Sequence, residues 1–449
     1  MADLLELLKK NTEKNWLIGY DSQKFYCLVE NIYYNLQSNY SQPVKTLIVD
    51  NNKINFLAYF LALSAAKFSV FLGNCDWKQS EWEQVLNLVK PALIWEDNSL
   101  QKTQYFSLKN QEVLTNNHVM IPTGGSSGQI KFTIHSWKTL IASVTAFQEF
   151  FKLNYINSFC ILPVDHVSGL MQFLRCFFSG GKFAIFDYSL LKKNIYSEVN
   201  VEDYFISLVP TQLQFLLENN PQWLAKFKTV LLGGAPPWKS LLETARQHKI
   251  NLAPTYGMTE TASGITILKP QFFLKGNNSS GQILPNNKIE ITENNVIKIF
   301  SNSLFLGYYP NFNNTKCLIT DDLGYFDEQN CLHIIGRNSR KIISGGENIC
   351  PEEIENTILA TGLVNDVCVI GIEDKNWGEL VTAIYVSLIR PTTTIQEVAI
   401  QEQIKTKIKE KLSKYKIPKK WIQVTKIPRN KQGKINFELL KSSLVKPNK

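Results

Sequence analysis

The chain has 449 residues, 44% hydrophobic and 19% charged, with a formal net charge of +9. That length and balance exclude a disordered or fibrous polypeptide and leave room for two or three domains with buried cores. The eight cysteines include no C-x-x-C pair and no histidine at zinc-finger spacing, so neither a thiolate metal site nor a disulfide framework is expected.

In chain order, Met1-Ala-Asp-Leu-Leu-Glu6 lacks the basic-then-apolar pattern of a leader. The apolar stretch from Phe56 to Gly73 is interrupted by Ser64 and Lys67, which predicts a buried helix running into a strand and no membrane span. Ile121-Pro-Thr-Gly-Gly-Ser-Ser-Gly-Gln-Ile-Lys131 then packs three glycines, three hydroxyls and a lysine into one polar loop. Glycines let backbone N–H groups turn inward on a polyanion, hydroxyls add donors, and Lys131 adds a compact positive charge. The spacing is not that of a P-loop, since Gln129 follows Gly128. A flexible Gly/Ser linker is the plainer reading. The loop's place between Val119-Met120-Ile121 and the amphipathic run after Trp137 favours one that binds nucleotide phosphates.

The middle of the chain alternates strand and helix. Ser158 to Pro163 reads as strand, Leu170, Phe173, Leu174 and Phe177 recur at helical spacing, Gly180-Gly181 stops the helix, and Lys182 to Phe186 resumes as strand. Thr229 to Ala235, the run from Trp238 to His248, and Ile250 to Ala253 repeat that order, which predicts βαβ units and parallel sheets. From Gly276 the pattern changes to short strands, Lys288 to Ile291 and Val296 to Phe300, joined by Asn-rich turns. Beyond Arg337, strands at Val367 to Ile372 and Leu380 to Leu388 mix with helices. A domain boundary is placed near Ser339. The lysines from Lys405 onward alternate with apolar residues, as in Ile404-Lys-Thr-Lys-Ile408, so they read as a solvated helix face and not as a nucleic-acid site.

Four further clusters carry chemistry. Pro254-Thr-Tyr-Gly-Met-Thr-Glu260 follows a predicted strand and supplies a flat ring, a hydroxyl and a carboxylate fit for Mg²⁺. Thr320-Asp-Asp-Leu-Gly-Tyr-Phe-Asp327, with Gly336-Arg337 downstream, supplies a carboxylate suited to ribose hydroxyls. Ile343-Ser-Gly-Gly-Glu-Asn-Ile349 could admit a narrow ligand along its backbone. Pro428-Arg-Asn-Lys-Gln-Gly-Lys434 ends in a loop lysine. Each alone would read as an ordinary turn.

In this order the five clusters resemble the adenylate-forming superfamily of acyl- and aryl-CoA ligases, luciferases and peptide-synthetase adenylation domains, from about Thr123 to Lys434. The resemblance implies an α/β fold. Residues 1–338 would form a large N-terminal domain of βαβ-built sheets, with a small β-barrel-like subdomain at about 276–338. Residues 339–449 would form a mobile α+β C-terminal lid. Thr123, Gly124, Gly125, Ser126, Ser127, Gly128 and Lys131 would bind phosphates. Gly234, Ala235, Pro236 and Tyr256 would flank the adenine, Thr255, Gly257 and Met258 would belong to the same ATP site, and Asp322 and Arg337 would hold the ribose. Thr259 would contact the α-phosphate, Glu260 the magnesium, and Lys434 would bridge α-phosphate and attacking carboxylate. His166, Ser168, Gly169 and Thr261 would lie at the acyl pocket, Ser344, Gly345 and Gly346 along the thiol tunnel, and Ser339 at the hinge. His166 is also expected among the catalytic residues, with Lys434, Glu260 and Thr259.

Three positions depart from the family pattern: Ile130 before Lys131, Asp321 before Asp322, and Ser339 at the hinge. Three local runs, His166-Val-Ser-Gly-Leu-Met171, Ser207 to Leu213 and Val230 to Pro237, look like the 2-succinylbenzoate–CoA ligase branch of quinone biosynthesis. The implied partners are 2-succinylbenzoate, ATP, coenzyme A and Mg²⁺, with no nucleic acid. The expected location is the cytoplasm, or the plastid stroma for an organelle-encoded chain. A ligase for another aryl or medium-chain acid, and a non-catalytic adenylate-binding module, are the alternatives.

Overall fold

The computed structural model describes residues 4–96, 99–105, 117–124, 129–313, 316–344, 347–374, 377–388, 394–429, 435–437 and 439–440. Its largest sheet has eight strands in the spatial order Leu17–Ile18, Phe183–Ile185, Asn157–Cys160, Tyr204–Leu208, Thr229–Leu232, Leu252–Met258, Ser263–Ile267, Gln282–Ile283. The first six run parallel and the last two antiparallel. Alternate residues face different layers. Ile206, Val230 and Leu252 pack with Leu213, Leu216, Leu241 and Leu242 of the helices Pro210–Asn219 and Lys239–Gln247. Their neighbours Phe205, Leu231 and Ala253 pack with Phe147 and Phe150 of the helix Trp137–Phe151. Burial on both faces explains why these strands read as unbroken apolar runs.

A second sheet has six strands in the order Ser99–Lys102, Leu93–Glu96, Lys45–Val49, Ser69–Leu72, Val119–Gly124, Ile130–His135. Between the two sheets lie the helices Lys53–Ala65 and Val167–Ser179, which share one core with Ile48, Val70, Leu72 and Phe183. The first of these is buried continuously from Phe56 to Ser64. A helix apolar on all sides must be covered on all sides, and here sheets and helices cover it. This helix and the strand Ser69–Leu72 account for the stretch from Phe56 to Gly73, and among the described residues no helix is long and apolar enough to cross a membrane.

Then follows a four-stranded antiparallel meander, Asn287–Ile291, Val296–Ser301, Leu318–Phe326 and Leu332–Arg337. Asn295 and Asn330 take φ of 61° and 55° in its turns, the left-handed conformation that asparagine tolerates best after glycine. Sheet membership changes between Arg337 and Ile342, across the single 3₁₀ turn Asn338–Arg340. The last sheet is built on the long hairpin Val364–Asp374 and Gly378–Ser387. The helices Pro351–Leu359 and Thr394–Lys409 cover it through Ile354, Ile358, Ile404 and Ile408. Cys160, Cys176, Cys331 and Cys368 are buried, and burial pushes the Cys160 and Cys176 thiols up to about 11 and about 12.

Candidate active site

Parallel strands end where a ligand can reach backbone groups that no further strand pairs, so the carboxyl edges of the two sheets are the place to look. The segment Gly233-Gly234-Ala235-Pro236 leaves the strand Thr229–Leu232 there, with Gly234 at φ +82°, a conformation that favours glycine. Thr255 lies beside it and donates its hydroxyl to Leu232 O at 3.1 Å. Gly257 has a different cause from the one expected. A Cβ on it would meet Ser263 O at 2.1 Å, so the bare backbone serves the bulged pairing with Gly264 and not an approaching nucleotide. Met258 N–H donates to Thr261 Oγ1 at 3.0 Å, and the same hydroxyl lies 2.6 Å from Ser263 O. Thr261 is fully buried, so it builds this turn; the structure does not offer it to an acyl pocket as the sequence suggested.

The predicted ribose pair sits in one register of the meander, with Asp322 directly opposite Arg337. Arg337 Nε donates to Asp322 Oδ1 at 3.1 Å, and the Tyr256 hydroxyl donates to Asp322 Oδ2 at 2.8 Å. Burial and the Asp322 carboxylate both raise the Tyr256 phenol well above its ordinary range, so it stays a donor. Asp322 is buried while Arg337 is exposed, so the carboxylate lies inside and its cation outside.

The strands Val119–Gly124 and Ile130–His135, which flank the glycine-rich segment, run antiparallel. Thr123 pairs with Lys131 and Gly124 with Ile130, so Lys131 stands on a strand and not within a loop. Its ammonium lies 5.4 Å from the ring centroid of Tyr308, and the Tyr308 hydroxyl donates to Glu260 Oε1 at 2.6 Å. Glu260 belongs to the 3₁₀ turn Thr259–Thr261, whose carbonyl at Thr259 lies 2.9 Å from His135 Nε2. A carbonyl only accepts, so that nitrogen carries the hydrogen. Full burial lowers His135 to about 4, opposed by this bond, and the ring is neutral at pH 7. Neither Tyr308 nor His135 was singled out from sequence. Tyr308 lies in Gly307-Tyr308-Tyr309, which carries no spacing signal, and its role comes from a bridge between Thr133 and Tyr308. Among the described residues no three His, Cys, Asp or Glu gather as metal ligands. A lone carboxylate suits Mg²⁺ that arrives with phosphate oxygens and its own waters, so Glu260 fits that ion.

His166 stands at the N-terminus of the helix Val167–Ser179 and contacts Asn74, which follows the strand Ser69–Leu72 of the other sheet, Nδ2 to Nε2 at 3.4 Å. Asn74 Oδ1 accepts the Asp76 N–H at 2.7 Å, which fixes the amide with its NH₂ toward the histidine. Asp165 Oδ2 is 3.7 Å from the same ring nitrogen, and burial raises that carboxyl against the pull of His166. Ser168 O accepts the Gln172 amide at 2.9 Å, and Gly169 sits in the first turn of the same helix. One further residue escaped the sequence reading. Arg175 is only 4% exposed, donates to Ser263 Oγ at 3.0 Å, and places its guanidinium 4.1 Å over the Phe147 ring. Burial lowers it to about 10, still cationic. Among the described residues no carboxylate pairs with it, and both Arg175 Nε and Gln172 Oε1 are buried without a hydrogen-bond partner. Gln172 and Arg175 within the apolar run from Leu170 to Phe178 were the available signal.

The model of the AMP-binding enzyme family matches residues 56–300, and that of the AMP-binding enzyme C-terminal domain matches residues 353–434. A 2-succinylbenzoate–CoA ligase of Listeria monocytogenes is 30% identical over 420 residues, covering 88% of each chain. This chain belongs to the AMP-binding enzyme family. A 2-succinylbenzoate–CoA ligase of Oceanobacillus iheyensis is also 30% identical, over 88% of this chain and 83% of that one. The o-succinylbenzoate CoA synthetase of Bacillus subtilis, solved with its acyl-adenylate intermediate, superposes with a TM-score of 0.83 at 23% identity, covering 100% and 99% of the two chains. ATP-bound MatB of Rhodopseudomonas palustris gives 0.81 at 20% identity, over 98% of both.

In this AMP-binding enzyme the two departures Asp321 and Ser339 meet: one Asp321 oxygen accepts Ser339 N–H at 2.9 Å and the other its hydroxyl. Ser344 is buried and pairs with Gly378. Gly125, Ser126, Ser127, Gly128, Gly345, Gly346 and Lys434 lie outside the described residues.

Proposed function

We propose that the chain is an AMP-forming acid–thiol ligase that adenylates 2-succinylbenzoate and passes the acyl group to coenzyme A. The supporting observation is a seam where the edges of two sheets bring Lys131, Tyr308 and Glu260 into one chain of contacts, with Tyr256, Asp322 and Arg337 grouped on the neighbouring strands. A polyphosphate fits the first group and a ribose the second. In the first half-reaction a substrate carboxylate oxygen attacks the α-phosphorus and the bond to pyrophosphate breaks. In the second a thiol sulfur attacks the acyl carbon and AMP leaves. Repulsion between carboxylate and phosphate is the first barrier. Lys131 and Lys434 offset it as charge builds, and Mg²⁺ held by Glu260 would supply further neutralisation. Asp322 orients the ribose, and Ser339 serves as the hinge on which residues 339–449 turn to bring Ser344, Gly345 and Gly346 to the thiol.

The choice of acid rests on Arg175. A buried guanidinium without a carboxylate is costly unless a ligand completes it. A dicarboxylic acid does so, one carboxylate being activated while the other meets Arg175 and Gln172 in a site screened from water. A monocarboxylic aryl acid would leave the cation unpaired. The likeness to 2-succinylbenzoate–CoA ligases, at 30% identity, supports the same acid.

The test is an acid panel with ATP and CoA, following pyrophosphate and thioester separately. 2-Succinylbenzoate should exceed benzoate and medium-chain acids by two orders of magnitude or more in kcat/KM; equal turnover of monocarboxylic acids would remove the assignment. Lys434→Ala should slow pyrophosphate release by orders of magnitude while sparing thioester formation from supplied acyl-adenylate. Equal losses in both steps would contradict the role given to Lys434. The reaction uses small-molecule partners, and the location we assign is the cytoplasm, or the plastid stroma for an organelle-encoded chain.

A further inference from the structure

We infer that Tyr308 is a positioning residue that holds the Glu260 carboxylate ready for the nucleotide's divalent cation and sets how tightly that cation is kept. The inference rests on the reading of Glu260 as the metal-binding carboxylate.

Glu260 is held from two directions by one short segment. Its carbonyl accepts Phe305 N–H at 2.9 Å, and its Oε1 accepts the Tyr308 hydroxyl at 2.6 Å. That segment is itself fixed to the phosphate strand, since Ile134 N–H donates to Gly307 O at 2.9 Å and Tyr309 N–H to Phe132 O at 2.8 Å. The Tyr308 ring packs edge-on to Phe305, with centroids 4.9 Å apart. Its position therefore does not depend on Glu260. The phenol has one hydrogen, and it serves Oε1. The second carboxylate oxygen keeps its lone pairs for a cation.

A carboxylate with free torsions spreads its charge over many orientations, and a donor on one oxygen removes that freedom. The donor draws off a little charge, and the single fixed orientation it enforces outweighs that loss in holding the cation. The same ring lies beneath the Lys131 ammonium, which puts a phosphate-neutralising group and a metal-holding group on one rigid support. Tyr308 then acts on phosphate geometry without touching phosphate.

Tyr308→Phe keeps the ring, and with it the contact to Lys131, and removes the hydroxyl alone. Mn²⁺ is the probe, its binding to the full-length protein read by electron paramagnetic resonance with α,β-methylene-ATP present. Tyr308→Phe should raise the Mn²⁺ dissociation constant about ten- to a hundredfold, with metal-free binding of the analogue changed less than about threefold. Glu260→Gln, measured beside it, should weaken Mn²⁺ at least as much. Mn²⁺ affinity intact in Tyr308→Phe but lost in Glu260→Gln would overturn the role of Tyr308 alone. Intact affinity in both would overturn the metal reading of Glu260 as well. Metal-free binding that falls in step with Mn²⁺ would show the hydroxyl acting through the Lys131 strand, and would also overturn the inference.

Discussion

The two walls of the cleft handle charge in opposite ways. On the wall proposed for the nucleotide each carboxylate has a partner: Asp322 takes Arg337 and Tyr256, and Glu260 takes Tyr308, while the exposed cation Lys131 lies over the Tyr308 ring. On the wall proposed for the acid, Arg175 is buried and, among the described residues, meets a serine and an aromatic face but no carboxylate. A paired group gives up one partner when a ligand arrives and exchanges hydrogen bonds at modest net gain. An unpaired buried cation gains a partner it never had. The first wall suits a nucleotide common to many reactions; the second suits discrimination between acids, because a wrong acid leaves the cation as costly as before.

The sharpest way to break this contrast is Arg175→Met. Losing one member of a desolvated charge pair costs about 2–5 kcal/mol, so kcat/KM for the dicarboxylic acid should drop about thirtyfold to several thousandfold. Melting temperature should hold or rise, since an apolar side chain removes an uncompensated charge from the interior. A fall in melting temperature that parallels the lost activity would make Arg175 a structural residue. Next in size is Asp322→Asn. Charge-assisted hydrogen bonds contribute about 1.5–3 kcal/mol, so KM for ATP should increase about ten- to a hundredfold with KM for the acid nearly unchanged. Comparable rises in both constants would place Asp322 outside the ribose site.

The smallest effect at neutral pH concerns His135, which ties the sheets together at Thr259. Its folded value of about 4 lies below the ordinary 6.5, so the unfolded chain binds the extra proton between those values. Stability from this group is therefore complete above pH 6.5 and is lost as pH falls toward 4, on the order of 3 kcal/mol in all. His135→Gln should flatten that acid limb in denaturant titrations at about pH 4 to 7. An unchanged limb would assign it to other groups.

Much of this was legible beforehand because the chemistry is local in sequence. Periodicity found the βαβ order, the buried helix and the meander, and the short clusters named Lys131, Tyr256, Glu260, Asp322 and Arg337, which the fold brings onto neighbouring strands. What stayed hidden depends on long-range register. Tyr308 meets Glu260 only because the segment after Leu306 pairs with Phe132 and Ile134. Asn74 meets His166 only across the gap between two sheets. Arg175 was legible as an oddity and went unremarked, since burial without a carboxylate is visible only in three dimensions. Gly257 shows the converse error: its glycine answers to Ser263 and Gly264, not to a ligand.

One consequence follows from where the hairpin Val119–Gly124 and Ile130–His135 belongs. Lys131 is carried by the outermost strand of one sheet, while Glu260 leaves the edge of the other. A triphosphate gripped by both would work as a rivet through two plates, resisting shear between them. The load it bears would show in pulling experiments as a higher rupture force with Mg²⁺ and nucleotide than with either alone, because only the pair spans the joint.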